Sequence, residues 1–373
     1  MLLSDLLRLL RNCAIPIILG ICLIGGLLAV AVVALAPAGL NPVEALVLRV
    51  YLSRNDAELN TAVGNDPTVQ RFVIEESDTA NSIGIKLVTQ GFIANGTLFQ
   101  RYVQFEGLDD DLRAGTFFIS NNMTIPQIAT ELTDPSPQTL RLLVVEGWRM
   151  EQIAEAIDAQ PLLDFTGNDF VALVGPGAPL PPEFQQRHGI PSGASLEGFL
   201  FPATYEVRYE ATAAELRDQM LDAFDANVSA TMINDATAQG LSMFEAVTMA
   251  SIVEREAVLV DERPQIAAVY LNRLSIGQKL DADPTTQYGI GNTRDGNWWP
   301  RLTVDDYQLA HPYNTYVNLG MPPGPIANPG LSAIRAVIYP AVSPYFYFRA
   351  ACDGSGAHQF SVTFEEHLTK ACP

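Results

Sequence analysis

The stretch "SPQTLRLLVVEGWRMEQIAEAI", residues 136–157, sets the reading of the chain. Its apolar run over 140–145 predicts a strand, a tight turn follows, and the remainder predicts a helix. Just upstream, "LRAGTFFIS" (112–120) and "MTIPQIATEL" (123–132) repeat that order, with Thr124 opening the helix. The likeness of "PQIATEL" to "EQIAEAI" suggests two related strand–helix units and a short internal duplication. Further upstream, "FVIEESDTANSIGIKLVTQGFI" (72–93) predicts a strand over 72–74 and a helix capped by Ser77 or Asp78. That helix carries Ala80, Ile83 and Leu87 at helical spacing and ends at Gly91. "RNDAELNTAVGNDPTVQ" (54–70) is polar and turn-rich, so 37–70 reads as a stalk.

"DPSP" (134–137) marks a domain boundary, and "GPGAPLPPEFQQRHGIPSGA" (175–194) reads as loop. A mostly helical stretch is expected over 213–276. In it Phe244, Val247, Ile252, Ile266, Val269 and Leu274 recur at helical spacing, and Pro264 opens a second helix. The remainder alternates turns and short strands, including the aromatic run "YFYFRA" (345–350). The fold class expected is α+β.

With 373 residues the chain suits two domains with sizeable cores. A net charge of -20 argues against nucleic acid and against a polybasic membrane patch, leaving neutral polymers, cations or basic groups as partners. Residues 14–36, "AIPIILGICLIGGLLAVAVVALA", contain no charge and are long enough to span a bilayer. A signal peptide cut after "ALA" is the alternative, but the apolar run is longer than the ~7–15 residues of a signal core, and Pro37 follows the cut. Arg8 and Arg11 precede the span, which places a short tail (1–13) in the cytoplasm and everything after about residue 37 outside. Cys13 and Cys22 lie in or beside the span. Cys352 and Cys372 lie outside, as either a disulfide or two free thiols. With no cysteine–histidine cluster, neither a metal nor a cofactor is expected.

The chemistry centres on "SLEGFLFPATYEV" (195–207). Glu197 sits among Leu196, Phe199, Leu200 and Phe201, with no lysine or arginine until Arg208. An ionised carboxylate is penalised in such company, so Glu197 is either paired through space or has a raised pKa, as a general acid needs. The alternative is a buried glutamate holding a turn through Tyr205 or a backbone amide. In "SIVEREA", Glu254 and Glu256 cannot share a helical face, and an ion pair with Arg273 is as good a reading as catalysis. Asn272 and Asp283 are placed to meet sugar hydroxyls, or Asp283 is a turn residue before Pro284. "TTQYGIG" adds Tyr288, and "PYNTY" adds Asn314 and Tyr316, the amide and ring mix that suits a pyranose or a tyrosine-lined turn. His188, His311, His358 and His367 lie in no motif that makes a base. There is no G-x-S-x-G, Walker loop or dinucleotide fingerprint.

Taken in order, "LEGFLFPATYEV", "ASIVEREA…ERPQIAAVYLNRL…KLDADPTTQYGIG" and "HPYNTYVNLGMPPGPIANPG…AVIYPAVSPYFYFRA…DGSGAHQFSVTFEEH" resemble the endolytic murein transglycosylases, membrane-anchored enzymes of the YceG-like type. The resemblance runs from Val144 to the C-terminus, a catalytic domain over 136–373. It is weaker over 71–135, which in the family is a small LysM-like subdomain; such strand–helix–helix–strand units either bind glycan or act as spacers. It implies that Glu197 is the catalytic acid; Phe199, Phe201, Tyr205, Glu254, Asn272, Asp283, Tyr288, Asn314 and Tyr316 are the residues expected to line the glycan. Some members carry tryptophan at the positions of Phe199 and Phe201 and aspartate at that of Ala203. The implied substrate is peptidoglycan, and wall synthases (penicillin-binding proteins) are the implied partners. The implied reaction breaks the β-1,4 bond between N-acetylmuramic acid and N-acetylglucosamine. A neutral acid protonates the bridging oxygen, then accepts a proton from the sugar's own C6 hydroxyl to leave a 1,6-anhydro ring. One carboxyl suffices where hydrolysis ordinarily takes two. The competing readings are a wall-binding module without turnover and a lysozyme-like hydrolase, in which Glu254, Glu256 or Asp283 would be the second carboxylate.

Overall fold

The computed structural model describes residues 40–134 and 139–372. The expected tail (1–13), the membrane span (14–36) with Cys13 and Cys22, and most of the "DPSP" boundary lie outside the described residues. Among the described residues no helix is long and apolar enough to cross a membrane. The chain divides into two compact units, Met1–Gln138 and Thr139–Pro373.

In the first unit, α1 (Pro42–Arg54) and α2 (Asp56–Leu59) precede β1 (Gln70–Ile74), α3 (Ala80–Thr89), α4 (Gly96–Glu106), β2 (Gly115–Ile119) and α5 (Ile125–Thr133). The segment expected to be a stalk is therefore largely helical. Asn41 caps α1 by accepting the Glu44 N–H at 2.9 Å, Pro42 opens it, and Leu52 and Leu59 are buried in the unit's core. β1 and β2 pair antiparallel with Phe72 opposite Phe117. The α3 cap is Thr79, not Ser77 or Asp78: its hydroxyl accepts the Ser82 N–H, while Asp78 is occupied by Lys86 and the Glu75 N–H. Gly84 and Gly96 let α3 and α4 approach closely, since a Cβ at either would stand 2.6 Å from the other's carbonyl oxygen.

The second unit opens with β3 (Thr139–Leu143), α6 (Met150–Asp158), α7 (Gly167–Val174), α8 (Pro182–His188) and β4 (Thr204–Arg208). β3 and β4 pair antiparallel, Leu142 opposite Tyr205, so this strand and β2 belong to separate sheets. The likeness of the two helices has a packing cause. α5 buries Ile125, Ile128, Ala129 and Leu132, and α6 buries Met150, Ile153, Ala154 and Ile157, the same i, i+3, i+4, i+7 stripe. Within the stretch read as loop, Pro182 starts α8, which buries Phe184 and His188.

Helices α9 (Ala213–Asn227), α10 (Ala230–Ala238), α11 (Met243–Glu256) and α12 (Arg263–Ser275) follow, then α13 (Asp283–Ile290) and α14 (Leu331–Ile338). Every side chain of α11 from Met243 to Val253 is buried except Glu245, so it is the central rod against which α12 and α14 pack. A hairpin of β5 (Tyr347–Ala350) and β6 (His358–Ser361) and the short α15 (Phe364–Thr369) end the unit, and a Cys352–Cys372 disulfide ties its last segment down.

Candidate active site

Glu197 has no exposed surface. Its position is fixed by Gly198, whose φ of +89° no side-chain-bearing residue adopts readily; a Cβ there would lie 2.6 Å from Pro325 and 2.8 Å from Val247. The carboxylate faces the N-terminus of α6. The Met150 N–H, one of the helix's free first-turn donors, lies 3.1 and 3.2 Å from its two oxygens. On the other side the Asn328 amide donates to Oε1 at 2.8 Å.

Asn328 is a fully buried hub. Its side-chain oxygen accepts the Gly198 and Leu200 N–H groups at 2.8 and 3.0 Å, and its amide also donates to the Trp148 carbonyl. Its own backbone exchanges hydrogen bonds with the turn between β3 and α6, Gly147 N–H to its carbonyl at 2.8 Å and its N–H to Trp148 at 2.7 Å. The strand–turn–helix of 139–158 and the "LEG" motif are thus clamped by one asparagine.

Electrostatics around Glu197 pull in opposite directions. Burial pushes its pKa up, the Glu151 carboxylate adds to this, and the Met150 N–H, Arg149 and Asn328 oppose it; the outcome is a carboxyl pushed up to about 8. Arg149 holds Glu151 through Nε at 3.1 Å and Nη2 at 3.2 Å, and donates to the Tyr288 carbonyl. Its guanidinium lies 4.0 Å from the Tyr288 ring centre and 4.6 Å from that of Trp298. Tyr288 and Tyr313 stand 4.6 Å apart, ring to ring, and the charge of Glu197 helps raise both phenols, after their own burial. Half-buried aromatic rings and a buried cation, Arg149, therefore stand beside a wholly enclosed acid.

Of the residues singled out from sequence, the structure brings Tyr288 to Glu197. Phe199, Phe201 and Tyr205 do not face a groove. Phe199 is fully buried against Phe184, His188, Phe224 and Phe244, Phe201 meets Phe224 edge-on, and the Tyr205 hydroxyl donates to the Phe201 carbonyl. These three side chains are core, Phe199 and Phe201 each packing on Phe224. Glu254 pairs with Arg263 rather than Arg273 and accepts the Gly330 N–H at 3.0 Å, so it steadies the segment that carries Asn328. Burial raises its pKa against the pull of Arg263. Glu256 accepts the Tyr270 hydroxyl at 2.8 Å and is raised by burial to about 7. Arg273 instead donates to the Phe346 and Leu280 carbonyls. Asn272 donates to the Ser343 and Tyr345 carbonyls, both at 2.9 Å, and so ties α12 to the chain before β5. Asn314 is likewise internal, accepting from Thr286 and the Tyr316 N–H and donating to Leu309. Asp283 opens α13 and accepts the Tyr316 hydroxyl at 2.7 Å, a pair on the accessible side of the unit.

His188 is paired with Asp225 and His358 with Glu262, which leaves both structural. No group of histidine, cysteine or acidic residues among the described residues is arranged to hold a metal. Sequence reading missed Arg149, Asn328, Tyr313 and the Trp298–Trp299 pair. The signal for Asn328 was present in "IANPG", an asparagine before Pro-Gly in a motif too apolar for a surface turn.

A family model described as the YceG-like family matches residues 72–372. The endolytic murein transglycosylase of Streptococcus pneumoniae is 31% identical over 314 residues, covering 78% of this chain and 56% of that protein. That of Bacillus subtilis is 30% identical over 312 residues, covering 80% of this chain and 83% of that protein. The chain thus spans about half the length of its pneumococcal relatives. A crystal structure of a yceG-like protein from Listeria monocytogenes aligns with TM-score 0.53 at 31% identity, over 82% of this chain and 99% of that one.

Proposed function

The chain belongs to the YceG-like family, and from that premise we propose that it is an endolytic lytic transglycosylase of peptidoglycan with Glu197 as its single acid. The observation that carries the proposal is the state of that carboxyl: enclosed, pushed up to about 8, and still supplied with two donors. Such a group is protonated at neutral pH and can give its proton to a glycosidic oxygen. The Met150 N–H and the Asn328 amide then hold the carboxylate that remains, until it accepts the proton of the muramic acid C6 hydroxyl. No water enters the balance, because the internal hydroxyl closes a 1,6-anhydro ring.

A lysozyme-like hydrolase would need a second carboxylate free to activate water or attack the sugar. Glu254, Glu256 and Asp283 are each engaged, by Arg263, Tyr270 and Tyr316, and Glu151 is held by Arg149. That favours the one-acid reaction. In this proposal residues 14–36 anchor the chain in the cytoplasmic membrane with the catalytic unit outside, where cuts in nascent strands near the membrane end their growth. The smaller unit would hold glycan, and wall synthases would be neighbours. Mass spectrometry of strand ends decides the chemistry. Anhydro ends one water lighter than hydrolysed ends are expected, and Glu197→Gln yields no new ends while retaining strand binding. Hydrolysed ends, or full activity in the Gln variant, would remove the assignment.

A further inference from the structure

We infer that Arg255 recognises a carboxylate carried by the glycan strand, an inference that rests on the proposed glycan-cleaving reaction. Arg255 is the penultimate residue of α11, and its guanidinium carbon lies over the Trp299 ring, 4.0 Å from the ring centre. Arg149 faces the same ring at 6.0 Å. The Arg255 side chain also lies against Gly147, where an added Cβ would stand 3.2 Å from Nη1. Gly147 donates to Asn328, and Asn328 donates to Glu197. Arg255 therefore packs on a glycine that is joined to the acid through Asn328 by two hydrogen bonds.

What sets Arg255 apart from the other arginines that are not exposed, among the described residues, is its lack of an acceptor. Arg149 has Glu151, Arg263 has Glu254, and Arg294 has Asp306. Arg255 makes no hydrogen bond or ion pair among the described residues, and its Nε is enclosed without an acceptor. Its acidic sequence neighbours are engaged elsewhere, Glu254 with Arg263 and Gly330, and Glu256 with Tyr270. In a chain of 42 acidic and 22 basic residues, acceptors are abundant, and an enclosed donor left without one is costly. A guanidinium is planar and offers its edge N–H groups as a fork, the geometry that takes a carboxylate through two bonds. The substrate of the proposed reaction supplies that group in two ways. Muramic acid bears a lactyl carboxylate where the strand carries no peptide, and stem-peptide carboxylates where it does.

The test uses the full chain with peptide-free and peptide-bearing strands, each compared with its amidated form, in which the carboxylates are neutral. New ends are counted for kcat/KM, and equilibrium binding is measured on the Glu197→Gln protein with and without Arg255→Gln. A carboxylate strand should be preferred about tenfold over its amidated form, the size of one charge-assisted pair. Arg255→Gln should bring that ratio to about one, and Arg255→Lys, which keeps the charge and loses the fork, should restore part of it. The strand pair that shows the preference identifies the source of the carboxylate. A ratio near one in both pairs for the unsubstituted protein, or a ratio that survives Arg255→Gln, overturns the inference. Preference in binding without new ends would sink the lytic reaction and keep Arg255; new ends without preference would do the reverse.

Discussion

Replacing Glu197 by Gln isolates the cost of ionising the enclosed acid. The carboxyl rises from 4.5 to about 8 on folding, chiefly through burial. At 1.36 kcal/mol per unit, that makes its charged form about 5 kcal/mol less favourable in the folded protein than in the unfolded chain. The sign follows from proton binding. Between pH 4.5 and about 8 the folded protein keeps this proton and the unfolded chain has released it. Stability therefore falls as pH rises through that window, and is unaffected by this group below it. Gln cannot ionise, so the stability of the variant relative to the parent should climb by about 1.4 kcal/mol per pH unit across the window and level off above it. Denaturant unfolding of both proteins at matched pH gives the difference directly, because every other titrating group cancels. A difference that is flat with pH, or that shrinks as pH rises, refutes the reasoning. The same pKa should appear in catalysis. The kcat/KM profile of the parent should lose activity above about pH 8, where the acid has lost its proton.

Three further outcomes are expected. Gly198→Ala forces a Cβ to 2.6 Å from Pro325 at a φ of +89°, and should cost more than about 3 kcal/mol, read as a fall in denaturation midpoint. Asn328→Ala strips acceptors from the buried Gly198 and Leu200 N–H groups, at about 1–3 kcal/mol each. It also removes a donor that favours the Glu197 anion, so the basic limb of the pH–rate profile should move upward. Cys352→Ser opens a closure between cysteines 20 residues apart and should lower stability by about 3 kcal/mol; reductant should have the same effect on the parent and none on the variant.

Local patterns were legible because their causes are local. The strands expected over 72–74 and 140–145, observed as Gln70–Ile74 and Thr139–Leu143, and the helices at Thr124 and Pro264 follow from apolar period and caps within a few residues. Glu197 stood out for the same reason, its apolar company lying within four positions. What makes it usable was not legible. Asn328 is 131 residues away and Met150 is 47, and no periodicity links them. The ion pair with Arg273 offered for Glu254 or Glu256 is not made: Arg263, nine residues on from Glu254, begins α12 beside the end of α11, Glu256 takes the Tyr270 hydroxyl, and Arg273 is turned to the chain before β5. The expected stalk failed because polar composition masks the few positions that matter, Leu48, Leu52 and Leu59, which are all buried. Phe199 and Phe201 were linked to sugar through the family resemblance and their aromatic type, which does not distinguish a platform from a core.

The surroundings of Glu197 also explain why burial alone would be a poor design for the proposed reaction. A carboxyl in a purely apolar cavity holds its proton well but is nearly impossible to ionise, and the second half of the reaction needs the carboxylate as a base. Here the helix N-terminus at Met150 and the amide of Asn328 limit the upward shift, and Arg149 adds a cation that is itself partly neutralised by Glu151. Removing any one of these pushes the group toward a permanent acid, while exposing it to water makes it a permanent base. In the proposed reaction the acid and base roles would therefore be balanced by the strand–turn–helix of 139–158 and the Asn328 segment, the two elements that Gly147 ties together.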